Sequence, residues 1–390
     1  MKYLYTLFIL LSVIAAFFSP MDKHELNEIS FSFAMGVDYA DGGYELSLQL
    51  INPAAIAGKT PIPNSPYVVY KAKGKTIDTA LERISVNLSR FIHLKEVEVI
   101  VISEKIAREG KIKDIAEYVM HSAQIPANAN MVISQDVNAS DLLMVYSPIE
   151  GFSAFEIASI LKKLGRDIPR TASEIKVNDI KEGKDIVLPF IKIEGDLKIG
   201  QEKGNLETTG PAHIAYGGLA LFKENQLAAF LDYRDSAYVS MLQGAESGFS
   251  IEASCPKGED DLFIFRILSN RSREGKLEIY EDKYIYHFNL NITGDISQLK
   301  CEINLEDPEQ IKLLEKQLSK TIQKNINHLL AISQEHELDL LGLGLIMREK
   351  SPGNWKKLKS YWPLRLKNAE IQVHSEITVQ NIGNYKAGGG

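Results

Sequence analysis

Two histidine–glutamate pairs are the first places in this sequence where chemistry could sit. His24-Glu25 and His336-Glu337 each open like the helix of a zinc protease, which needs a second imidazole four residues after the first so that both face one metal ion. Those positions hold Glu28 and Leu340, so neither pair completes a zinc site. The nucleophile elbow Gly-x-Ser-x-Gly does not occur, and there is no Walker loop. Gly342-Leu343-Gly344 lacks the third glycine and the preceding strand of a dinucleotide-binding turn. Cys255 and Cys301 have no histidine pair nearby with which to hold zinc. These residues predict no catalytic centre, no metal and no cofactor.

Two basic features remain. Lys312, Lys316, Lys320 and Lys324 recur every four residues. Like charges at that spacing cost a helix roughly 0.2–0.5 kcal/mol per pair, so a row kept against the cost can serve to dock on acidic lipid or an acidic partner. The plainer reading is a solvated face on which Glu309 and Glu315 offset part of the repulsion. The second feature is Trp355-Lys356-Lys357-Leu358-Lys359-Ser360-Tyr361-Trp362, which holds both tryptophans of the chain at helical spacing with Leu358, opposite lysines. Such a segment can lie in a membrane interface. More often its indoles anchor a helix on a sheet.

The elements that must carry these residues are legible in the periodicity. Phe31, Phe33, Met35, Val37 and Tyr39 share one face of a strand, and Tyr44, Leu46, Leu48 and Leu50 one face of the next, with Asp41-Gly42-Gly43 as the turn. Four prolines then mark an irregular excursion over 53–67. Ile77, Ala80, Leu81, Ile84, Leu88 and Phe91 have helical spacing, and the run Val97–Ile102 reads as a buried strand. Helices over 111–122, 138–146 and 155–164 alternate with a strand near 129–134. Ile186–Ile191 reads as an edge strand, because Pro189 cannot donate to a ladder. Strands follow near 249–255, 261–269, 276–281, 284–294 and 370–379. Before the last of them a long helix starts at Asp307 as N-cap, with Pro308 at its first position and Gln310 completing a capping box. The fold class is therefore α+β or mixed α/β, with two or three layered domains of sheet flanked by helices. The expected division is an N-terminal signal or anchor over 1–20, α/β structure over 21–194, a glycine-rich linker over 195–210 and a sheet-plus-long-helix domain over 211–386.

With 390 residues, 45% of them hydrophobic and 24% charged, the composition is that of an ordinary multi-domain globular protein. A net charge of −7 argues against a nucleic-acid partner. Lys2 ahead of the apolar run Tyr3–Phe18 is the pattern of an export signal or short anchor, which puts the folded body on the far side of a membrane. The reading taken here is an uncleaved anchor, although Ala15 and Ala16 are small enough for cleavage. In an exported chain Cys255 and Cys301 can pair, worth about 3–4 kcal/mol; the preferred reading leaves them as buried thiols.

Several short runs resemble the Ger(x)C family, the C subunits of nutrient germinant receptors in spore-forming bacteria. They are Asp22–Glu28 after the export signal, Leu50-Ile51-Asn52-Pro53, His93-Leu94-Lys95 leading into Val99–Glu104, Leu188-Pro189, Gly218–Phe222, Asp307-Pro308, and Asp339–Gly344 with Trp355 and Trp362. The chain departs from the family at Pro20, where a lipobox cysteine usually stands, and at Met21, where a tryptophan does. Without a thiol at that position no lipid thioether can form. The resemblance implies a three-domain, non-catalytic protein on the outer face of the spore inner membrane, with two multi-spanning membrane subunits as partners and a role in nutrient-triggered germination. An extracytoplasmic solute- or glycan-binding protein is the alternative; a cell-wall hydrolase would need a carboxylate or thiol cluster in one cleft.

Overall fold

The computed structural model describes residues 28–51, 65–163, 168, 170–180, 183–206, 212–243, 249–256, 258–271 and 273–381. The apolar run Tyr3–Phe18, Pro20, Met21, most of the proline-rich excursion and the glycine tail lie outside them.

The first sheet grows from a hairpin, β1 (Ile29–Ala40) and β2 (Gly43–Ile51), to which β3 (Tyr67–Gly74) adds antiparallel. After α1 (Ile77–Val86), capped by Thr76, and the short β4 (Phe91–His93) comes β5 (Val99–Ser103), whose five residues are all buried. Then follow α2 (Glu104–Arg108), α3 (Ile112–His121), β6 (Asn130–Ser134), α4 (Ala139–Leu143), α5 (Ser153–Lys163), α6 (Ala172–Ile180), β7 (Val187–Gly195), α7 (Leu197–Gly200), β8 (Ala212–Lys223) and β9 (Gln226–Asp232). The strand order is β3-β2-β1-β5-β6-β7-β8-β9, with β4 beside the start of β1. Because β1, β5, β6 and β7 are parallel neighbours, helices must cover both faces. Helices α1, α2, α3 and α6 pack on one face and α4 and α5 on the other.

The hairpin differs from its expected alternation in one respect. A register shift between Ser32 and Ala34 turns Phe33 to the α5 side, edge-on to Phe155, while Met35 and Val37 face α1 and α3. One extra residue in a strand reverses every side chain beyond it. Pro189 also sits differently: β7 is an interior strand. Its pairing with β6 covers only Phe190 and Ile191, and the start of β6 is engaged instead by the 170–171 segment, where Met131 N donates to Arg170 O and Asn130 bridges Thr171, so the missing N–H of Pro189 breaks no rung of the ladder.

The stretch 195–210 lies between two paired strands of this sheet. Asp196 caps α7, a 3₁₀ turn covers Lys203–Leu206, and Gly195 of β7 is opposite Ala212 of β8. The sheet itself ends at Asp232, where α8 (Tyr233–Leu242) begins.

The second sheet contains β10 (Ser250–Cys255), β11 (Gly258–Asn270), β12 (Arg273–Tyr280), β13 (Lys283–Leu299) and β14 (Ala369–Asn381). Strands β11 and β12 pair in succession along the long β13, antiparallel, and β14 pairs with β13 in parallel. Between β13 and β14 run α9 (Pro308–Glu335), α10 (Leu343–Lys350), α11 (Pro352–Leu358) and α12 (Trp362–Arg365). Helix α9 starts at Asp307 and Pro308 as expected, but without the capping box. Asp307 accepts from Glu309 N at 2.9 Å, whereas the Gln310 side chain donates to the Asp307 carboxylate at 3.1 Å and accepts from Asn304 N at 2.7 Å, not from Asp307 N, which donates to Asn304 O. Its stripe of Leu314, Leu318, Ile322, Ile326 and Leu329 is fully buried on the sheet. The same core takes in Val187, Leu219, Leu221 and Leu231 of the first sheet, so the two sheets share it.

Cys255 and Cys301 are joined in a disulfide, with Cα atoms 5.5 Å apart, which corrects the expectation of free thiols. The end of β10 and the segment after β13 converge at one corner of the second sheet, a meeting that the 46-residue separation does not reveal.

Candidate functional site

The four lysines of α9 do not form one row. A helix advances about 100° per residue, so each four-residue step drifts about 40° around the axis and three steps carry Lys324 about 120° from Lys312. Lys312 pairs with Glu309 at 2.8 Å. Lys316, Lys320 and Lys324 instead line an open groove of about 570 Å³ with Ser319, Gln323, Asn327 and Val373 of β14. No carboxylate lines it, and none of the three ammonium groups has an ion-pair partner among the described residues. The wall is fixed by Gln323, which donates to Ile371 O at 3.0 Å and accepts from Val373 N at 2.8 Å.

Trp355 and Trp362 lie elsewhere, and inside. They are 6% and 3% exposed and meet edge to face with centroids 5.6 Å apart, while Lys356, Lys357 and Lys359 stay in solvent. Both indoles anchor the seam between the sheets, so neither faces outward. Asp339 is the centre of that seam. Its carboxylate accepts from Leu343 N at 2.8 Å, Gly344 N at 2.6 Å and Trp362 Nε1 at 2.8 Å. Its own N–H donates to the Asp185 carboxylate, and its carbonyl accepts from Asp185 N at 3.2 Å. Desolvation pushes Asp339 up to about 6, limited by the three donors. Asp185 is also raised, again by burial. Leu345 N donates to Gly183 O at 2.8 Å. The two backbones approach so closely that a Cβ on Gly344 would lie 2.5 Å from Trp362 Nε1 and 2.9 Å from Gly183 Cα. Every oxygen of Asp339 is thus occupied by the fold, the role of a structural clamp.

At the start of α8 a cleft of about 670 Å³ opens between the sheets, lined by Tyr216, Tyr233, Tyr238, Phe249, Arg234 and Glu252 among others. Burial raises the Tyr216 and Tyr238 hydroxyls to about 12; they bond Ser236 Oγ at 3.3 Å and Asn325 Nδ2 at 3.1 Å. No sequence signal marked it, because the cleft is assembled from six separated segments. On the outer face of the second sheet His287 Nδ1 and His374 Nε2 lie 3.1 Å apart, with Glu278 3.8 Å from the other nitrogen of His287. Among the described residues no group of three or more His, Cys, Asp or Glu is placed to hold a metal, and no helix is long and apolar enough to cross a membrane.

Two family models match the chain in order: the spore germination protein N-terminal domain over residues 22–193, and the spore germination B3/GerAC-like C-terminal domain over 217–383. The chain belongs to the spore germination B3/GerAC-like family. Spore germination protein KC of Bacillus subtilis (strain 168) is similar over 374 residues at 26% identity, covering 93% of this chain and 91% of that protein. Spore germination protein GerQC of Bacillus cereus is 23% identical over 81% of this chain and 82% of its own length. The crystal structure of the GerBC protein shares the fold, with a TM-score of 0.59 at 16% identity over 89% of this chain and 97% of that one. The boundary between the two family models coincides with the 194–216 region, whereas the first sheet of this GerAC-like chain continues through β8 and β9. The run Asp339–Gly344 is, in atoms, the clamp.

Proposed function

We propose that this chain is the C subunit of a spore germinant receptor. It sits outside the cytoplasm, at the outer face of the spore inner membrane, and is needed for receptor assembly and nutrient-triggered germination with two multi-spanning membrane subunits. Its role is non-catalytic. The observation that carries the reading is the ordered match of both family models across both sheets, with germination relatives aligned over nine-tenths of either length. The buried carboxylates agree with a scaffold: those of Asp38 and Asp339 are held by backbone N–H donors at helix starts. The test is to delete the coding sequence and follow nutrient-triggered germination, and to capture the tagged chain from spore inner membranes. Unchanged germination in every nutrient, with no multi-spanning protein captured, would sink the proposal.

One feature favours a second reading, a solute- or glycan-binding protein: the aromatic cleft at α8. A saturable rise in melting temperature with a single amino acid or sugar, in the absence of other subunits, would support it.

A further inference from the structure

We propose that the groove beside α9 is a docking face for an anionic phospholipid surface. The inference rests on the reading that the folded body lies against the outer side of a membrane. Lys316, Lys320 and Lys324 supply three exposed positive charges over eight residues, a span of about 12 Å. A chain with a net charge of −7 is repelled as a whole by an anionic surface, so only a local cationic face can approach one. Lys312 does not add to it, because Glu309 neutralises that end of the helix.

The chemistry of the groove favours lipid phosphate over an acidic protein segment. Lysine binds anions as a mobile point charge, without the rigid fork by which arginine fixes a particular carboxylate. That suits a diffuse layer of headgroups. The lining also lacks the buried aromatic or arginine anchor on which protein interfaces concentrate their affinity; Val373 is its one apolar residue. Nor can a peptide extend the sheet here. Gln323 already occupies the N–H of Val373 and the carbonyl of Ile371, the backbone groups an added strand would need. What remains open to a partner is charge and hydroxyl, over a shallow surface.

The test uses the full chain and vesicles of phosphatidylcholine alone or mixed with phosphatidylglycerol, so that any apolar anchoring contributes equally to both. Each lysine near an anionic surface is worth roughly fivefold in binding, and three together on the order of 100-fold. The wild type is expected to prefer phosphatidylglycerol vesicles by about that factor at low salt, and K316Q/K320Q/K324Q to lose the preference while keeping its melting temperature. The control K73Q/K75Q/K95Q removes the same charge from exposed positions on β3 and in the connections after β3 and β4. The proposal is overturned if the groove variant keeps its preference, or if the control loses as much. It is also overturned if the groove variant binds vesicles normally but no longer captures its membrane partners, which would make the groove a protein contact. Partners that never appear while the lipid preference holds would refute the receptor reading and leave the groove intact.

Discussion

Replacing Asp339 with asparagine should invert its effect on stability between acid and neutral pH. The carboxylate is buried and desolvation raises it from 3.8 to about 6 in the folded protein. At a pH between those values the folded chain holds a proton that the unfolded chain has released. Stability from this group is therefore complete below about 3.8 and lost as pH rises through about 6. A shift of roughly two units amounts to about 3 kcal/mol. Asparagine has no such dependence, yet it matches the neutral acid in shape and offers only one acceptor oxygen. One of the three N–H donors from Leu343, Gly344 and Trp362 then faces an amide NH₂, at a cost of about 1 kcal/mol. The wild type should lead by about 1 kcal/mol well below pH 3.8, by about half of that at pH 4, and trail by about 2 kcal/mol at pH 7. Urea unfolding followed by tryptophan fluorescence reads the right place, since both tryptophans of the chain pack at this seam. A difference between the two proteins that stays constant, or widens against the variant as pH rises, would show that the three donors outweigh desolvation and refute the reasoning.

Removing the disulfide with C255A/C301A should cost about 4 kcal/mol, the loop-closure entropy of its 46-residue separation, seen as a lower melting temperature than in the wild type under oxidising conditions. Gly344→Ala should cost about 1–3 kcal/mol by overpacking, because its Cβ would lie 2.9 Å from both Gly183 Cα and Trp355 Cζ3; a change in tryptophan emission should accompany it. Gln49→Leu should cost about 1–3 kcal/mol in denaturant unfolding. It strands the Ala154 N–H, which donates to Gln49 Oε1 at 3.2 Å, and removes the Gln49 Nε2 donations to the Leu143 carbonyl at 2.7 Å and Ser153 Oγ at 2.8 Å, leaving that pair only its own hydrogen bond at 3.1 Å.

Features confined to one element were legible in the sequence, and features that need two were not. The cap at Asp307, the apolar stripe of α9 and the buried run of β5 each follow from residues a turn or a pleat apart. Pro189 misled because its rule concerns a neighbour: a proline is excluded only where the adjacent strand asks for its N–H, and the start of β6 is bonded to Arg170 and Thr171 instead. Cys255 and Cys301 misled for the same reason, since pairing depends on where β10 and the end of β13 meet in space. The lysine row shows the point within a single helix. Four-residue spacing looks linear on paper, yet the helical drift and the edge of β14 select Lys316, Lys320 and Lys324 and leave Lys312 to Glu309. Asp339 is the sharpest case. As a letter it is one acid in a chain with 51 carboxylates, and only the approach of Gly183 to Gly344 under two indoles makes it the buried hinge pin between sheets. The run Asp339–Gly344 therefore needs no chemistry passing through it: it fixes where the segment after α9 meets the start of β7, and with it how one sheet is set against the other.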